Sequence, residues 1–377
     1  MQISTTKDNL SAPLSLVMGA ADTRGTVPIL GSVLMKATDT GQLSLLCSDT
    51  GLLARTLTPC QVAKTGSIAI DVRRFNDLIK AIPDKQPIEI SVESKGESNT
   101  LLLKSGRSRF RLPALAASDY PQMAPAKEER LSITMDARRL ADMIAVITAT
   151  MADADIRPFL NGALFSFDKE GLWLVSTDGH RMSVSHEPIA SSDSLVARNV
   201  ILPRKTVLLA KKLLLQGGSV TLTLGSKNVQ FTFADGAVLL GTAVDGSYPN
   251  WRGVIPKTTE RVTASTDRLA DSLAMIAASS DEKEKQAAMK CKVELCITKT
   301  TTTLRRGDTG LCEMESESST DVPAELAFNI TYLTDAVSMI RAVSDEVSIG
   351  FTPSGAAITM RPKDRDYPLA VVMPLRA

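Results

Sequence analysis

The stretch LSITMDARRLADMIAVI, Leu131–Ile147, decides the fold. Its first six residues alternate apolar and polar, the pattern of a half-buried strand. From Leu140 onward, apolar residues recur at i+4 and i+7, as Ile144 and Ile147, on one face of a helix. The same strand–turn–helix pattern returns in QISTTKDNLSAPLSLVMGA (2–20), SIAIDVRRFNDLIKAI (67–82), NVILPRKTVLLAKKLLL (199–215), RVTASTDRLADSLAMIA (261–277) and ELAFNITYLTDAVSMI (325–340). The first helical anchors are Leu10, Phe75, Leu140, Val207, Leu269 and Leu333, spaced 62 to 67 residues apart. A repeat this regular organises the whole chain. The fourth copy departs from it: Lys211 stands at i+4, and Ala210 and Leu214 keep the apolar stripe.

Between these helices the chain alternates in period two, as in LWLVSTD, VTLTLGS and VELCITK. Each unit therefore reads as one helix plus about four strands. Helices on one face of antiparallel sheet make an α+β fold. A second, longer period groups the units in pairs. Asp-Thr-Gly stands at 49–51, Asp-Gly-His at 178–180 and Asp-Thr-Gly again at 308–310. These read as one tight hairpin turn repeated in three similar domains, where Asp and Gly supply the backbone freedom a turn demands. The domains expected are 1–127, 128–258 and 259–377.

Composition narrows the function. Over 377 residues the formal net charge is only +1, so any nucleic-acid surface must come from basic residues gathered on one side. Aromatics are only 4% of the chain, which argues against a stacking platform for single strands. The start MQISTTKDNL lacks the basic and apolar regions of a signal peptide, and no apolar run approaches the ~20 residues of a membrane span. The five cysteines, at 47, 60, 291, 296 and 312, form no disulfide pattern and read as free thiols, which suggests a cytoplasmic protein.

Enzyme chemistry finds little footing. Paired Asp-Thr-Gly triplets bring to mind aspartic peptidases, in which two close carboxylates share a proton. Here Leu follows each triplet and the spacing follows a three-fold repeat, so structural turns are the better reading. The two histidines, His180 and His186, and the cysteines lack the tight three- or four-ligand spacing of a zinc site. There is no Gly-x-Ser-x-Gly elbow and no P-loop. No enzyme activity, cofactor or metal is expected. Basic residues on the helices remain. Arg73, Arg74 and Lys80 lie on the second, Arg138 and Arg139 open the third, and Arg204, Lys205, Lys211 and Lys212 lie on the fourth. The pairs 73/80, 204/211 and 205/212 are two turns apart and share a face away from the apolar stripe.

The chain resembles the β sliding clamps of bacterial DNA polymerase III. The segments that carry the resemblance are TVPILGSVLM (26–35), SGRSRF (105–110), RPFLNGALF (157–165), STDGHRMSV (176–184), VILPRK (200–205), VDGSYPNW (244–251) and VVMPLR (371–376). The resemblance implies three similar DNA-clamp domains per chain, each of two helix-plus-four-strand units, forming half of a ring. That ring would be a head-to-tail homodimer around double-stranded DNA. It would serve as a processivity factor for the polymerase III catalytic subunit, the clamp loader and other replication or repair proteins. A clamp-like paralogue outside the main replicase is the alternative within the same fold. Geometry agrees with a dimer. Twelve helices packed ~10 Å apart enclose a bore near 28 Å once one helix diameter is subtracted. That admits a duplex roughly 20 Å across, whereas six helices leave only ~10 Å.

By the same resemblance, Arg24, Arg73, Phe159, Arg204 and Lys205 match DNA-contacting positions, while Ala154 and Pro158 stand where some relatives have Gln and Tyr. A hydrophobic pocket for short linear peptides would be lined by Leu160, Thr177, Gly179, His180, Arg181, Met182, Pro249, Val254, Asn329, Tyr332, Val371, Val372, Met373, Pro374, Leu375 and Arg376. Gly253, Glu284 and Ala377 depart from the family's usual residues around it. The dimer seam would involve Arg107, Phe110 and Leu112 of one chain and Ala278 and Ser279 of the other, the last two standing where larger aliphatics are usual.

Overall fold

The structure, a computed structural model, describes residues 1–95, 98–121, 131–189, 197–279, 292–321, 323–353 and 355–375. Cys291, Glu284, Arg376 and Ala377 lie outside the described residues. All six repeats fold as the periodicity indicates. They are β1 (Gln2–Thr6) with α1 (Lys7–Val17), β6 (Gly66–Asp71) with α2 (Val72–Ala81), and β10 (Leu131–Asp136) with α3 (Ala137–Thr148). The other three are β14 (Arg198–Pro203) with α4 (Arg204–Leu214), β18 (Glu260–Ser265) with α5 (Thr266–Ala278), and β22 (Ala324–Asn329) with α6 (Ile330–Arg341).

Local chemistry explains why strand becomes helix within one residue. A helix leaves its first N–H groups without partners, and a short oxygen-bearing side chain just before it accepts one. Asp71 accepts from Arg74 N at 2.8 Å, Asp136 from Arg139 N at 2.9 Å and Asn329 from Thr331 N at 2.9 Å. Thr6 and Ser265 do the same less tightly, at 3.4 Å each. In the fourth repeat Pro203 has no such side chain, and Arg204 N donates instead to the Asn161 carbonyl at 2.9 Å. The expected apolar stripes are buried, among them Leu10, Leu14 and Val17, or Leu333, Val337 and Ile340. In α4, Ala210, Leu213 and Leu214 are buried, so the stripe rotates past Lys211.

By contacts the chain divides into two compact units, residues 1–141 with 205–243 and residues 142–204 with 244–377. Among the described residues each holds one antiparallel sheet, of 13 strands in the first unit and 12 in the second. The central repeats contribute strands to both. In the first unit, β17 (Val238–Thr242) pairs with β4 (Leu52–Pro59), from Val238 opposite Arg55 to Gly241 opposite Leu52. In the second, β25 (Leu369–Val372) pairs with β13 (Arg181–Glu187), with Val372 opposite Arg181 and Leu369 opposite Val184. Distant segments are thus stitched by main-chain hydrogen bonds.

Several strands are paired along only part of one edge, two of them in the segments Ser108–Leu115 and Gly310–Ser318. β9 (Ser108–Leu115) pairs with β8 (Ser98–Ser105) over Ser108–Ala114, but meets β6 only at Ala114 and Leu115. β21 (Gly310–Ser318) runs beside β20 (Thr301–Arg306) over Gly310–Glu315, and meets β18 only at Ser316–Ser318.

The three Asp-Gly turns are not identical. In the first, Asp49 accepts from Gly51 N at 3.1 Å and Leu52 N at 2.7 Å, and Thr50 takes the left-handed backbone, φ 74°. In the second, Asp178 accepts from His180 N and Arg181 N, and Gly179 is left-handed, φ 89°. In the third, the hairpin is one residue tighter: Arg306 pairs with Gly310, and Gly307, before the Asp, is left-handed at φ 47°. There Thr309 closes the turn by donating from N and Oγ1 to the Arg306 carbonyl, at 3.0 and 2.9 Å. Gly310 is closely packed instead: a Cβ there would sit 3.0 Å from Ile276 Cδ1 and 3.3 Å from Ser279 Oγ, closer than ordinary contact.

Candidate functional site

The carboxylates of the first two turns are committed. Asp49 is bonded to Lys205 Nζ as well as to its own turn amides, and Asp178 lies 2.9 Å from Arg181 Nε. Asp49, the carboxylate of the first Asp-Thr-Gly triplet, thus has its own cation, the reverse of an acid sharing a proton with a second acid, so the structure lends the peptidase reading no support. His186 is likewise structural. Its ring stacks on Trp173, centroids 3.7 Å apart, and Nε2 lies 2.9 Å from the Glu170 carbonyl. Among the described residues no group of three or more His, Cys, Asp or Glu side chains is placed to hold a metal ion. The described cysteines are free thiols, and burial pushes the Cys47 thiol well above its ordinary range. No helix among the described residues is long and apolar enough to cross a membrane.

The second unit gathers the residues expected around a peptide pocket. The hairpin between β12 (Gly171–Thr177) and β13 carries Thr177, Gly179, His180, Arg181 and Met182. The chain's C-terminal segment lies beside it because β25 pairs with β13. Beyond the strand, Met373 N donates to the His180 carbonyl at 2.9 Å and Leu375 N to the Ala327 carbonyl at 2.7 Å. Arg181 occupies the centre. Its guanidinium bonds Asp178, Asp335 on α6 at 2.5 Å and the Ala149 carbonyl at 2.8 Å, and lies 4.4 Å from the Tyr332 ring centre. The His180 ring is near-parallel to Tyr332 at 6.3 Å. Burial and the Asp178 carboxylate both push the Tyr332 phenol above its usual range, so it stays a neutral wall at physiological pH.

The strand alternation sorts the lining into two faces. Met182 and Val371 join an apolar cluster with Leu164, Trp173 and Trp251, Val372 joins a second one with Val337 and Ile340, and all three border, with Arg181, a crevice beside Val146, Tyr332 and Asp335. Leu160, Met182, Val371 and Val372 are therefore buried, and Asn329 caps α6. The accessible apolar surface comes from Pro249, Val254 and Met373, with Pro374 and Leu375 half-buried. Val254 is 52% exposed and Met373 46%, large values for side chains of this kind. Arg376 lies outside the described residues.

Two residues at this site escaped the sequence reading. Asp335 is one turn along α6 from Tyr332 and becomes visible only when the hairpin is in place. Arg252 lies 4.2 Å from the Trp251 ring centre and 4.8 Å from that of Trp173, and bonds Asp168 at 2.9 Å, pinning the 3-10 turn Trp251–Val254 that presents Val254. Its signal was a lone Arg beside Trp in PNWRG.

The residues expected to face DNA fall in both units. In the first, Arg73 on α2 donates to Thr23 Oγ1 at 2.6 Å, which brings it against the exposed loop carrying Arg24, and Lys205 bonds Asp49. In the second, Arg204 donates to the Met151 carbonyl at 2.7 Å, next to the loop carrying Phe159. Phe159 is half-buried, edge-on to Tyr248. That loop is held by Asn161, whose amide bonds Asp155 N and O at 2.7 and 2.8 Å, and by an Asp155–Arg157 pair at 2.9 Å. The Arg157 hydrogen bond holds the Asp155 carboxyl down at about 2.

Of the residues expected at a dimer seam, Arg107, Phe110 and Leu112 lie at or near the half-free β9, with Phe110 38% exposed. Ala278 and Ser279 end α5 in the second unit and are exposed. Beside them Met275 and Leu311 are exposed too, a feature the α5 stripe alone did not indicate.

Comparison with known proteins matches this architecture over its whole length. The N-terminal, central and C-terminal domain models of the DNA polymerase III beta subunit match residues 1–124, 134–250 and 252–376 in turn. Beta sliding clamps of Vibrio cholerae and Proteus mirabilis are 30% and 32% identical, each over 100% of both chains. The crystal structure of the Pseudomonas aeruginosa beta subunit superposes with a TM-score of 0.88 at 27% identity, and covers 100% of both chains. The Caulobacter crescentus clamp also gives 0.88 at 27%, covering 100% of this chain and 99% of its own. Three consecutive domain matches on a six-fold repeat of strand and helix leave one assignment: this chain belongs to the family of DNA polymerase III beta subunits, the bacterial beta sliding clamps.

Proposed function

We propose that two copies of this chain close into a ring around double-stranded DNA and act without catalysis as a processivity factor in the cytoplasm. The observation that carries the reading is the seam between β13 and β25. It joins residues nearly two hundred positions apart, lays Met373 on His180 next to Tyr332, and belongs to the unit that also exposes Pro249 and Val254. A short peptide ending in Leu or Phe fits such a wall: apolar contacts for affinity, flexible Met for adaptable fit, and polar groups for orientation. The polymerase III catalytic subunit, the clamp loader and other replication or repair proteins carrying such a motif are the partners this implies. The domains would run 1–127, 128–258 and 259–377.

The half-free strands support head-to-tail assembly. An unpaired strand edge is a template for another chain. The free part of β9 carries Arg109 and Arg111, with Arg107 just before it, and that of β21 carries Glu313 and Glu315. Opposite charges on the two edges favour pairing of one copy's β9 with β21 of a second. Phe110 and Leu112 would then lie over the end of α5 at Ala278 and Ser279. DNA contact through Arg24, Arg73, Phe159, Arg204 and Lys205 would touch phosphates without reading bases, as sliding demands.

The test is solution mass across a dilution series, with and without circular DNA. A dimer at micromolar concentration that circular DNA preserves on dilution supports the reading. A monomer persisting at tens of micromolar contradicts it.

A further inference from the structure

In the second unit a guanidinium and a set of aromatic rings pack together, apart from the residues expected to line the peptide surface. Trp173 on β12 faces His186 on β13 across the ladder, and their rings stack with centroids 3.7 Å apart. Tyr367, two residues before β25, makes T-shaped contacts with both, at 5.1 and 5.4 Å. Trp251 lies 5.4 Å from Trp173. Arg252 lies over both indoles and donates to Asp168 Oδ2. Asp168 is itself fixed, because its other oxygen accepts from Trp173 Nε1 at 3.0 Å and from Glu170 N at 2.9 Å. A charge-assisted hydrogen bond on one side and aromatic faces on the other leave the guanidinium a single place to sit.

This cluster governs one short turn. Trp251 is buried at the start of the turn Trp251–Val254, and Val254 is exposed at its end. Asn250 Oδ1 closes the turn by accepting from Gly253 N at 3.4 Å. Trp251 also shares an apolar cluster with Met182 and Val371, which belong to the strands that lead to His180 and Met373. An exposed valine held in this way gives up little freedom when a ligand covers it, because the fold has already ordered it.

We infer that Arg252, held between Asp168 and the two Trp rings, fixes Val254 in place and so sets the preference of the peptide surface for a large apolar side chain at the end of the peptide. Arg252 is a positioning residue, acting through Val254 rather than by contact with the peptide. This rests on the peptide-site reading. It goes beyond that reading by naming a residue outside the lining that gives the site its selectivity.

The experiment is equilibrium binding of two labelled pentapeptides to the full-length protein, identical except that one ends in Leu and the other in Ala. The quantity read is the ratio of the two affinities, which does not change with the fraction of protein that is folded. The wild type should prefer Leu at least tenfold, as full burial of that side chain requires. In Arg252→Gln the ratio should fall about three- to tenfold, the range a lost cation–π hold gives. Arg252→Lys keeps the charge without the planar fork and should lie between the two. Val254→Ala should lower the ratio at least as far, and adding Arg252→Gln to it should lower it no further, since the two act through one wall. The control Arg341→Gln, which removes an exposed ion pair with Asp267, should keep the wild-type ratio. An unchanged ratio in Arg252→Gln would overturn the inference. So would a further fall when Arg252→Gln is added to Val254→Ala, or an equal fall in the control. A wild type that binds neither peptide would refute the peptide site and the inference with it, whereas a wild type and an Arg252→Gln variant with the same Leu preference refute the inference alone.

Discussion

Arg181 Nη1 and Asp335 Oδ2 lie 2.5 Å apart, and this contact ties the 178–181 hairpin to α6, 154 residues further along the chain. The guanidinium is consumed by protein groups on every side, so Arg181 shapes the candidate pocket more than it offers donors to a ligand. Asp335→Asn keeps the volume and removes the charge. With Asp335 about a third exposed, the expected cost is about 1 kcal/mol of stability. Peptide affinity should fall several-fold as the hairpin loosens. Thermal unfolding and fluorescence anisotropy of a labelled peptide measure the two, and unchanged affinity would mean that the hairpin needs no anchor.

Deletion of residues 373–377 should abolish peptide binding and leave dimer and fold intact. The deletion removes Met373 and the two hydrogen bonds by which the tail lies on the His180 and Ala327 carbonyls. It spares β25, which carries the pairing with β13. Retained affinity in the truncated protein would place the peptide elsewhere. In the intact protein, changing the peptide's Leu to Ala should weaken binding at least tenfold, since full burial of a Leu is worth roughly 1.5–3 kcal/mol.

The seam between two copies should tighten when Ala278 becomes Ile. Ala278 is exposed at the end of α5 and leaves Phe110 of the proposed partner surface little to pack on. Burying the added carbons should contribute about 1–2 kcal/mol per interface. Sedimentation across a dilution series reads this as a lower dissociation constant, and a weaker dimer would show that the end of α5 is not in the seam.

Acid should leave the 152–161 loop in place to unusually low pH. Asp155 has its carboxyl lowered from 3.8 to about 2, first by the Arg157 side chain and then by the Arg157 backbone N–H. A folded-state value below the unfolded one adds stability that is complete above pH 3.8 and is lost as pH falls through about 2. An NMR titration of the Asp155 carboxyl should find its midpoint near 2, moving up toward the ordinary value in Arg157→Gln. A wild-type midpoint near 4 would show the pair is not formed in solution.

The repeat was legible because its signals are local. A strand alternation, a capping oxygen and a helical stripe each occupy a few residues, so LSITMD followed by ARRLADMIAVI could hardly fold otherwise. The register of the turns was less so. Asp308 matches Asp49 and Asp178 in sequence, but Gly307 accepts the left-handed backbone so readily that the third hairpin closes one residue earlier. Pairing of β13 with β25 and of β4 with β17 depends on strands far apart in sequence, which periodicity cannot register. The same holds for Arg181 with Asp335 and for Arg252 on its two Trp rings. Which strands keep a free edge is likewise a property of the sheet. SRFRLPAL alternates no differently from strands paired on both sides.

Topology separates this account from its rivals most directly. The protein is loaded by a clamp loader with ATP onto a nicked circular plasmid and washed by gel filtration in high salt. Half the sample is then cut once with a restriction enzyme. The account predicts that the protein stays with the circle through the wash and is released from the linear molecule by sliding off its ends. Equal retention before and after the cut, or no retention on the closed circle, would contradict a ring that encircles DNA.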